Sequence, residues 1–245
     1  MRVCGVTDIG CHRKDNQDSY AIRQLDEGTV LLVVCDGMGG AQAGSVASSV
    51  AVEVFTAAVE EQLAQGVPDD PDQRKQVLGG ACAQANERVF QMSRENPAYD
   101  GMGTTLVAAL VLPGGVYVVN VGDSRGYLLE GGAIRQVTVD HSLVQLLVDR
   151  GEITPAQARI HPQKNLITRA LGVERRVEYD LSRLSPQPGS RLLLCSDGLS
   201  NLLDDDMLLR LSGQEEDPER FCHVLLEWAL ERGAPDNVTV VLAQL

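Results

Sequence analysis

Five aspartates stand beside predicted strands, where their carboxylates can reach a shared surface: Asp18, Asp36, Asp123, Asp197 and Asp236. Carboxylates that are brought together repel one another and raise one another's pKa unless a cation compensates their charge. Oxygen ligands without histidine or cysteine select Mg²⁺ or Mn²⁺ over zinc. The residue types and their positions therefore indicate a divalent-metal hydrolase.

Two of these aspartates directly follow apolar strands. Asp36 follows the run 30–35, Asp197 follows a similar run that begins at residue 191, and a glycine comes after each aspartate. An apolar run without polar alternation is typical of a strand covered on both faces, so each strand delivers one carboxylate to a surface. Asp-Gly is also ordinary turn chemistry, and Asp217 before Pro218 is more simply explained as a helix cap.

The charge balance narrows the possible partners. The chain has 245 residues, of which 21 are basic and 34 acidic, giving a formal net charge of −13. An acidic surface repels phosphate backbones and anionic lipids, so we expect neither nucleic acid nor a membrane as a partner. The length and the 44% apolar content fit a single domain, residues 1–245, with a substantial core.

The N-terminal residues and the cysteines predict a cytoplasmic location. The first residues lack the apolar stretch of a secretory leader, and no run approaches the roughly 18 apolar residues of a membrane-spanning helix. The six cysteines are scattered without a C-x-x-C pair. We therefore expect reduced thiols, and neither zinc nor a disulfide framework.

The order of predicted elements indicates the fold class. Helical periodicity predicts two consecutive helices at 43–63 and 73–93, and four closely spaced strands follow between residues 104 and 137. Further predicted elements are strands at 176–181, 190–196 and 238–242, a short helical insertion at 153–163 and a helix from Pro218. Since closely spaced strands pair antiparallel, we expect an α+β fold, a four-layer α-β-β-α sandwich whose two central, mainly antiparallel sheets are flanked by helix pairs.

Seven short motifs follow one another along the chain: Arg13-x-x-Asn16-Gln17-Asp18, Asp36-Gly37-Met38-Gly39-Gly40, Gly103-Thr104-Thr105, Gly122-Asp123-Ser124-Arg125, Arg169-Ala170-Leu171-Gly172, Ser196-Asp197-Gly198 and Asp236-Asn237. In this order the motifs resemble the metal-dependent Ser/Thr protein phosphatases of the PPM (type 2C) family, in its compact bacterial form. The resemblance runs from Gly5 to Val241. One Asp-Gly-x-Gly-Gly would be a weak signal, whereas seven motifs in sequence are specific.

The resemblance implies roles for the residues of the metal centre. In the family, the aspartate that matches Asp36 bridges two metal ions, and the residue that matches Gly37 gives its backbone carbonyl to one of them. Asp197 and Asp236 match the ligands of the other ion. The implied cofactors are two Mn²⁺ or Mg²⁺ ions.

The remaining roles lie around this centre. Asp18 matches a carboxylate that acts mostly through bound water, and Asp123 matches one that takes part, with Asp197, in a weaker third metal site. Arg13 matches the arginine that grips the substrate phosphate, and its planar guanidinium suits that task because it pairs bidentately with phosphate oxygens. A solvated arginine in the charged run 13–15 is the alternative interpretation of Arg13.

The chain departs from many eukaryotic members at two positions. They have a histidine that serves as a proposed general acid where this chain has Met38, which has no proton to give. Gln17 stands where they often carry glutamate. Bound water is the expected donor, and weaker candidates are His12, His141 and His161.

The segment 146–165 matches a variable flap beside the active site of the family, so we expect it to influence substrate choice. The resemblance further implies phosphorylated proteins as substrates, an opposing Ser/Thr kinase, bacterial signalling and a monomeric enzyme. Two alternatives stay open at this point. One is a small-molecule metal-dependent phosphohydrolase, and the other is an inactive member that binds phosphoproteins.

Overall fold

Residues 1–40, 42–64 and 66–245 are described by the computed structural model, and they form eleven strands and seven α-helices. The strands are β1 (Arg2–Asp8), β2 (Asp18–Asp26), β3 (Thr29–Met38), β4 (Gly103–Thr104), β5 (Leu106–Leu112), β6 (Gly115–Val121), β7 (Arg125–Glu130), β8 (Ala133–Gln136), β9 (Asp180–Leu184), β10 (Arg191–Cys195) and β11 (Val238–Gln244). The helices are α1 (Ala43–Leu63), α2 (Pro71–Glu95), α3 (Leu143–Asp149), α4 (Pro155–Arg159), α5 (Asp197–Ser200), α6 (Asp205–Ser212) and α7 (Pro218–Glu231).

The strands form two antiparallel sheets. One sheet has the order β1-β11-β10-β7-β8, and the other has the order β2-β3-β5-β6-β9, with the short β4 paired to the end of β3. Helices α1 and α2 pack on the second sheet, while α5, α6 and α7 pack on the first. The expected α+β sandwich of four layers, α-β-β-α, is confirmed.

Strand β3 shows why its sequence lacks polar alternation. Leu31, Val33 and Cys35 face the helices α1 and α2, and Val30, Leu32 and Val34 face the other sheet. Each fully buried Val or Leu side chain contributes about 1.5–3 kcal/mol to folding. The strand is therefore anchored on both faces up to the residue before Asp36.

Helix α1 is the one helix, among the described residues, that is long and apolar enough to cross a membrane by length and composition. More than half of its apolar stretch, 56%, is buried inside the protein. Its buried side chains, Phe55 and Val59 among them, belong to the core between the helices and the second sheet. These properties are those of a core helix.

Several predicted bounds were wrong. The strand predicted at 104–112 is interrupted at Thr105, which pairs instead with the backbone of Asp36. The strand predicted at 176–181 begins only at Asp180, because Tyr179 packs with its hydroxyl against helix α2 at Gly79. Helix α4 is shorter than the predicted insertion 153–163.

Two elements were missed, and the caps of two helices were predicted correctly. The short helices α5 and α6 have no counterpart in the predicted elements. Helix α7 begins at Pro218, and the Asp217 side chain accepts the N–H of Arg220 as its cap. Thr154 and Gln157 form the predicted capping box of α4.

Candidate metal centre

Two aspartates of the centre come from the second sheet. Asp18 opens β2, and Asp36 lies near the end of β3, where the antiparallel register places the two residues directly opposite each other. Asp18 is buried, whereas Asp36 keeps part of its surface exposed. The hairpin of β2 and β3 thus brings two carboxylates to one edge.

Three further aspartates come from the first sheet. Asp123 lies just before β7, Asp197 just after β10, and Asp236 just before β11. Strand β10 runs between the other two strands, and its last residue, Cys195, pairs with Arg125 at the start of β7. The three aspartates therefore share one edge of this sheet, as the positions at strand ends predict.

The carboxylates of the two sheet edges lie close enough together to shift one another's pKa. Burial raises the pKa of Asp36 well above its ordinary range, and the charges of Asp18, Asp197, Asp123 and Asp236 raise it further. Burial is also the main cause that raises the pKa of Asp123 and of Asp197. The centre is a concentration of negative charge that a divalent cation would relieve.

A set of buried hydroxyls holds Asp18 in one orientation. Its Oδ2 accepts hydrogen bonds from Ser196 Oγ and Thr239 Oγ1, each at 2.7 Å. Both hydroxyls lower the pKa of Asp18, but burial outweighs them and raises it to about 7. Within the described residues, Oδ1 of Asp18 has no hydrogen-bond partner, nor has Oδ1 of Asp197. Two buried carboxylate oxygens are thus left for a cation or its water.

In the described residues, the carboxylates of the centre are not yet at the distances from one another that a shared metal ion would require. Within residues 1–40, 42–64 and 66–245, no three acidic, histidine or cysteine side chains converge at the spacing of a bound ion. Asp236 Oδ2 instead accepts a hydrogen bond from Arg13 Nη2 at 2.7 Å. In addition, Asp197 Oδ2 accepts one from Asn201 Nδ2 at 2.9 Å.

The backbone around Asp36 and Gly37 is tightly fixed. Thr104 Oγ1 and the Thr105 amide both donate to the carbonyl of Asp36, at 2.8 and 2.9 Å. A Cβ on Gly37 would lie 2.0 Å from the carbonyl oxygen of Gly44 in α1, so this position requires glycine. The Gly37 backbone, the predicted source of a carbonyl ligand, is therefore held rigidly beside Asp36.

Arg13 lies at the rim of the centre, with about half of its side chain exposed. The loop that carries it is held by Asn237, whose Nδ2 donates to the carbonyls of Ile9 and Asp15. Asn237 Oδ1 accepts the backbone N–H of Gln17. The side chain after Asp236 thus positions the whole loop that precedes Asp18.

Several of these supporting residues were missed by the sequence reasoning. Thr104, Thr105, Ser196 and Asn237 occur in the seven motifs, but they were given no role, and Thr239 lies outside the motifs. A hydroxyl or amide side chain next to a candidate ligand in sequence is the signal that could have found two of them, Ser196 and Asn237.

His141 is held by hydrogen bonds on both ring nitrogens. Its Nδ1 accepts the N–H of Gly122 at 3.1 Å, and its Nε2 lies 3.3 Å from Asp180 Oδ2. Burial lowers the pKa of His141. The imidazole ring thus links the loop before Asp123 to β9, and its lowered pKa favours the neutral form.

The flap lies next to the centre. A cavity of about 440 Å³ is lined by Asp123 and Asp197 on one side and by residues of α4 on the other. Arg159, the last residue of α4, donates to the carbonyl of Ser200 at 3.1 Å. The flap is thereby joined to the short helix that starts at Asp197.

The sequence and the fold both match known proteins. Residues 12–236 match the family model described as protein phosphatase 2C. The chain is 37% identical to serine/threonine phosphatase stp of Listeria monocytogenes, over 97% of this chain and 93% of that protein. It is 40% identical to serine/threonine protein phosphatase PstP of Mycobacterium tuberculosis, over 100% of this chain and 45% of that protein.

A solved structure has the same fold. The catalytic domain of serine/threonine protein phosphatase PstP, in complex with two manganese ions, superposes with a TM-score of 0.85 at 38% identity, covering 99% of this chain and 97% of that one. The matches in sequence and in fold cover nearly the whole chain. The chain belongs to the protein phosphatase 2C family.

Proposed function

We propose that this protein is a metal-dependent phosphatase that hydrolyses phosphoserine and phosphothreonine in proteins. The observation that carries the proposal is the meeting of five aspartates from two sheets beside Arg13. Family membership supports it, and so does the name serine/threonine phosphatase of the relatives. Arg13, Asp36, Asp197 and Asp236, which match the family's phosphate-binding arginine and metal-binding aspartates, are all present, which disfavours an inactive member.

The residues fit a pair of hard divalent ions. Asp36, the Gly37 carbonyl, Asp197 and Asp236 would hold two Mn²⁺ or Mg²⁺ ions, as an all-oxygen donor set favours. The buried Oδ1 atoms of Asp18 and Asp197, which have no hydrogen-bond partner in the described part of the chain, agree with this assignment. The PstP catalytic domain with two manganese ions supports the number of ions.

Two carboxylates have roles around the pair. Asp18 would act through water, because its Oδ2 is already used by two hydroxyls. Asp123 would join Asp197 in a weaker third site, and the charge of Asp197 contributes to the raised pKa of Asp123. Both assignments are consistent with the burial of these side chains.

The chemistry divides between the ions and the chain. When bound, such a pair of ions activates a water nucleophile and neutralises phosphate charge. Arg13 binds and orients the phosphate, since its guanidinium can turn from Asp236 to two phosphate oxygens in a planar fork. The exposed position of Arg13 at the rim lets it meet a phosphorylated side chain that enters from solvent.

The leaving alkoxide needs a proton that the side chain of Met38 cannot give. His141 does not replace it, since both of its ring nitrogens are engaged with Gly122 and Asp180. With Met38 and His141 set aside, we favour water in the centre as the donor over His12 and His161.

The biological setting is part of the proposal. The phosphatase would oppose a Ser/Thr protein kinase in bacterial signalling, as a monomer, because one chain supplies the whole carboxylate centre. All six cysteines are free thiols, and four of them are buried. Unpaired thiols fit a reducing compartment, the cytoplasm.

The test is hydrolysis of p-nitrophenyl phosphate and of a phosphothreonine peptide with Mn²⁺, Mg²⁺ or EDTA. We expect EDTA to abolish both activities and Asp36→Asn to lower kcat/KM at least about 10³-fold. Asp204→Asn is the matched control, because Asp204 lines the same cavity as Asp197 but caps helix α6. Turnover in EDTA, or an active Asp36→Asn variant, contradicts the mechanism. Faster turnover of nucleotides or sugar phosphates than of the peptide contradicts the substrate class.

A further inference from the structure

A second groove starts at the centre and has no role in the chemistry at the phosphate. Its volume is about 870 Å³, and Met38, two residues after Asp36, lies at one end. The segment 165–178 forms most of its lining. Two large apolar side chains of this lining are half exposed, Leu166 at 50% and Val173 at 48%. Apolar side chains held in this way next to a reactive site are suited to bind part of a substrate.

The groove is continuous with the centre through backbone pairing. In β3, Gly37 pairs with Thr104 and Met38 pairs with Gly103. Thr104 in turn pairs with Leu171, with N–H to oxygen distances of 3.1 and 2.8 Å. The backbone that presents Asp36 and the backbone that lines the groove are therefore parts of one hydrogen-bonded ladder.

A buried glycine lies beneath the Met38 end of the groove. A Cβ on Gly103 would lie 2.6 Å from Met38 Cε and 2.9 Å from Val173 Cγ2. Met38 and Val173 thus meet over Gly103, where any larger residue would push them apart. Met38 is thus the apolar start of the groove.

The wall of the groove is anchored before any substrate binds. Asn86 of α2 is buried, and its Oδ1 accepts the N–H of Gly172 at 2.9 Å. Its Nδ2 donates to the carbonyls of Glu174 and Arg175, at 3.1 and 3.2 Å. A wall that is already ordered loses little conformational entropy when a ligand binds.

The charge of the groove distinguishes it from the rest of the molecule. Its charged lining residues are Arg169, Glu174, Arg176 and Glu178. Two positive and two negative side chains leave the groove formally neutral in a chain whose net charge is −13. The cavity under the flap, by contrast, is lined by six acidic and three basic side chains and is formally negative. The groove therefore carries no net charge that would select a charged ligand, and half of its lining residues are apolar.

We propose that this groove binds the residues next to the phosphorylated serine or threonine and selects large apolar side chains there. The inference rests on the proposed function, since it concerns the protein substrate of the same site. Met38 follows Asp36 by two residues, so the groove opens beside the carboxylate that a phosphorylated side chain must reach. The flanking residues of an extended segment then lie along Leu166 and Val173.

The experiment compares phosphothreonine peptides that carry either leucine or serine at the flanking positions, with p-nitrophenyl phosphate as a small substrate. We expect the wild type to prefer the leucine peptide about tenfold in kcat/KM, mainly through a lower KM. Val173→Asp and Leu166→Asp should each remove this preference and leave kcat/KM for p-nitrophenyl phosphate unchanged. Val139→Asp is the matched control, because Val139 is as exposed as Val173, at 51%, but lines a different depression.

The outcomes separate this inference from the proposed function. Equal kcat/KM for the two peptides in the wild type overturns the groove as a specificity site, and so does a preference that survives in both groove variants. A preference lost equally in Val139→Asp also overturns it, because the effect is then one of surface charge. Turnover of p-nitrophenyl phosphate without turnover of either peptide overturns the protein-phosphatase function, and the groove inference falls with it.

Discussion

The carboxylate centre and the flap lie side by side, but each contains a threonine whose hydroxyl has a different kind of partner. One hydroxyl bonds to residues distant in sequence, and the other to a residue of its own helix. Thr239 at the centre is fully buried, and its hydroxyl bonds to Asp18 and to Thr7, which are 221 and 232 residues away in sequence. Thr154 in the flap is exposed, and its hydroxyl accepts the N–H of Gln157, three residues further on. The hydroxyl at the centre is thus fixed by contacts across the whole fold, whereas the hydroxyl in the flap is fixed by a contact within its own helix. Arg159 at the end of that helix also joins the flap to α5.

This difference in hydrogen bonding predicts that the two regions differ in how readily they open locally. A segment stabilised by local contacts can open and close without unfolding the domain, whereas a buried network of long-range hydrogen bonds is lost only with the global fold. The chemistry therefore stays fixed while the flap beside it can change conformation. Deleting a threonine hydroxyl should therefore have distinct effects in the two regions.

The largest effect is expected at Arg13, at the rim of the centre. Arg13→Ala should lower kcat/KM for p-nitrophenyl phosphate about 10²-fold, because the phosphate loses two charge-assisted hydrogen bonds. Arg13→Lys should recover part of this loss, since lysine keeps the charge but not the planar fork. Steady-state kinetics measures both, with Lys14→Ala as a control for the loss of a neighbouring positive charge.

A purely structural role for Arg13 predicts another result. In that case Arg13→Ala would weaken Mn²⁺ binding, which isothermal titration calorimetry measures directly, and kcat/KM would recover at high Mn²⁺. We expect Mn²⁺ binding to be as tight or tighter, because Asp236 Oδ2 is released from its ion pair.

The sequence predicts the carboxylates better than their supports. Asp36 and Asp197 can be found because an apolar strand before an Asp-Gly pair is a local pattern. Thr239 cannot be found in this way, since its partner, Asp18, is distant in sequence and Thr is common in strands. Asn237 is next to Asp236, but its partners, Ile9 and Asp15, become neighbours only through the pairing of β1 with β11.

The fold was also predictable where local patterns determine it, and not where contacts distant in sequence do. The strand spacing between residues 104 and 137 gives the antiparallel sheets, and the apolar periodicity gives α1 and α2. The strand predicted at 176–181 had the wrong bounds because the Tyr179 side chain packs against helix α2 and its backbone does not pair with a neighbouring strand among the described residues. Helix α6 was missed because the run 204–206 looks like a solvated charge cluster, although Asp204 caps the helix.

The second largest effect tests the buried network at the centre. Thr239→Val keeps the shape of the side chain but removes one of the two hydroxyl donors to Asp18 Oδ2. We expect Mn²⁺ affinity, measured by calorimetry, to fall about 10–100-fold, as is usual for the partners that orient metal ligands. Unpaired Asp18 and Thr7 groups should also cost about 1–3 kcal/mol of unfolding free energy.

The control for that variant is Thr56→Val in α1. Thr56 is buried as well, but its hydroxyl bonds only to the carbonyls of Val52 and Glu53 in its own helix. Its loss should leave Mn²⁺ affinity unchanged. Equal affinities of the two variants for Mn²⁺ would falsify the positioning role of Thr239.

The third effect is a dependence of stability on pH in the absence of metal. The pKa of Asp18 is raised to about 7 from an ordinary value of 3.8, so between these values the folded state holds a proton that the unfolded state has lost. Stability must then decrease as pH rises through this window. The pKa values of Asp36, Asp123 and Asp197 are raised in the same direction.

Bound metal replaces these protons, so it should stabilise the protein more at high pH. We expect Mg²⁺ to raise Tm, measured by scanning calorimetry against EDTA, by more at about pH 8 than at about pH 5.5. Added NaCl at about 0.5 M screens the surface charges and isolates the centre. An equal rise in Tm at both pH values contradicts the assignment of these aspartates to the metal.

The smallest effect is expected in the flap, at Thr154→Ala. This change removes the cap of α4 and should destabilise that helix by about 1 kcal/mol, while the global Tm and the Mn²⁺ affinity remain those of the wild type. Hydrogen exchange should become faster at residues 155–159 and stay unchanged at β3. If exchange instead rises at β3, the flap and the centre unfold together. Thr154 and Thr239 would then belong to one cooperative unit, and the flap could not move while the metal site keeps its shape.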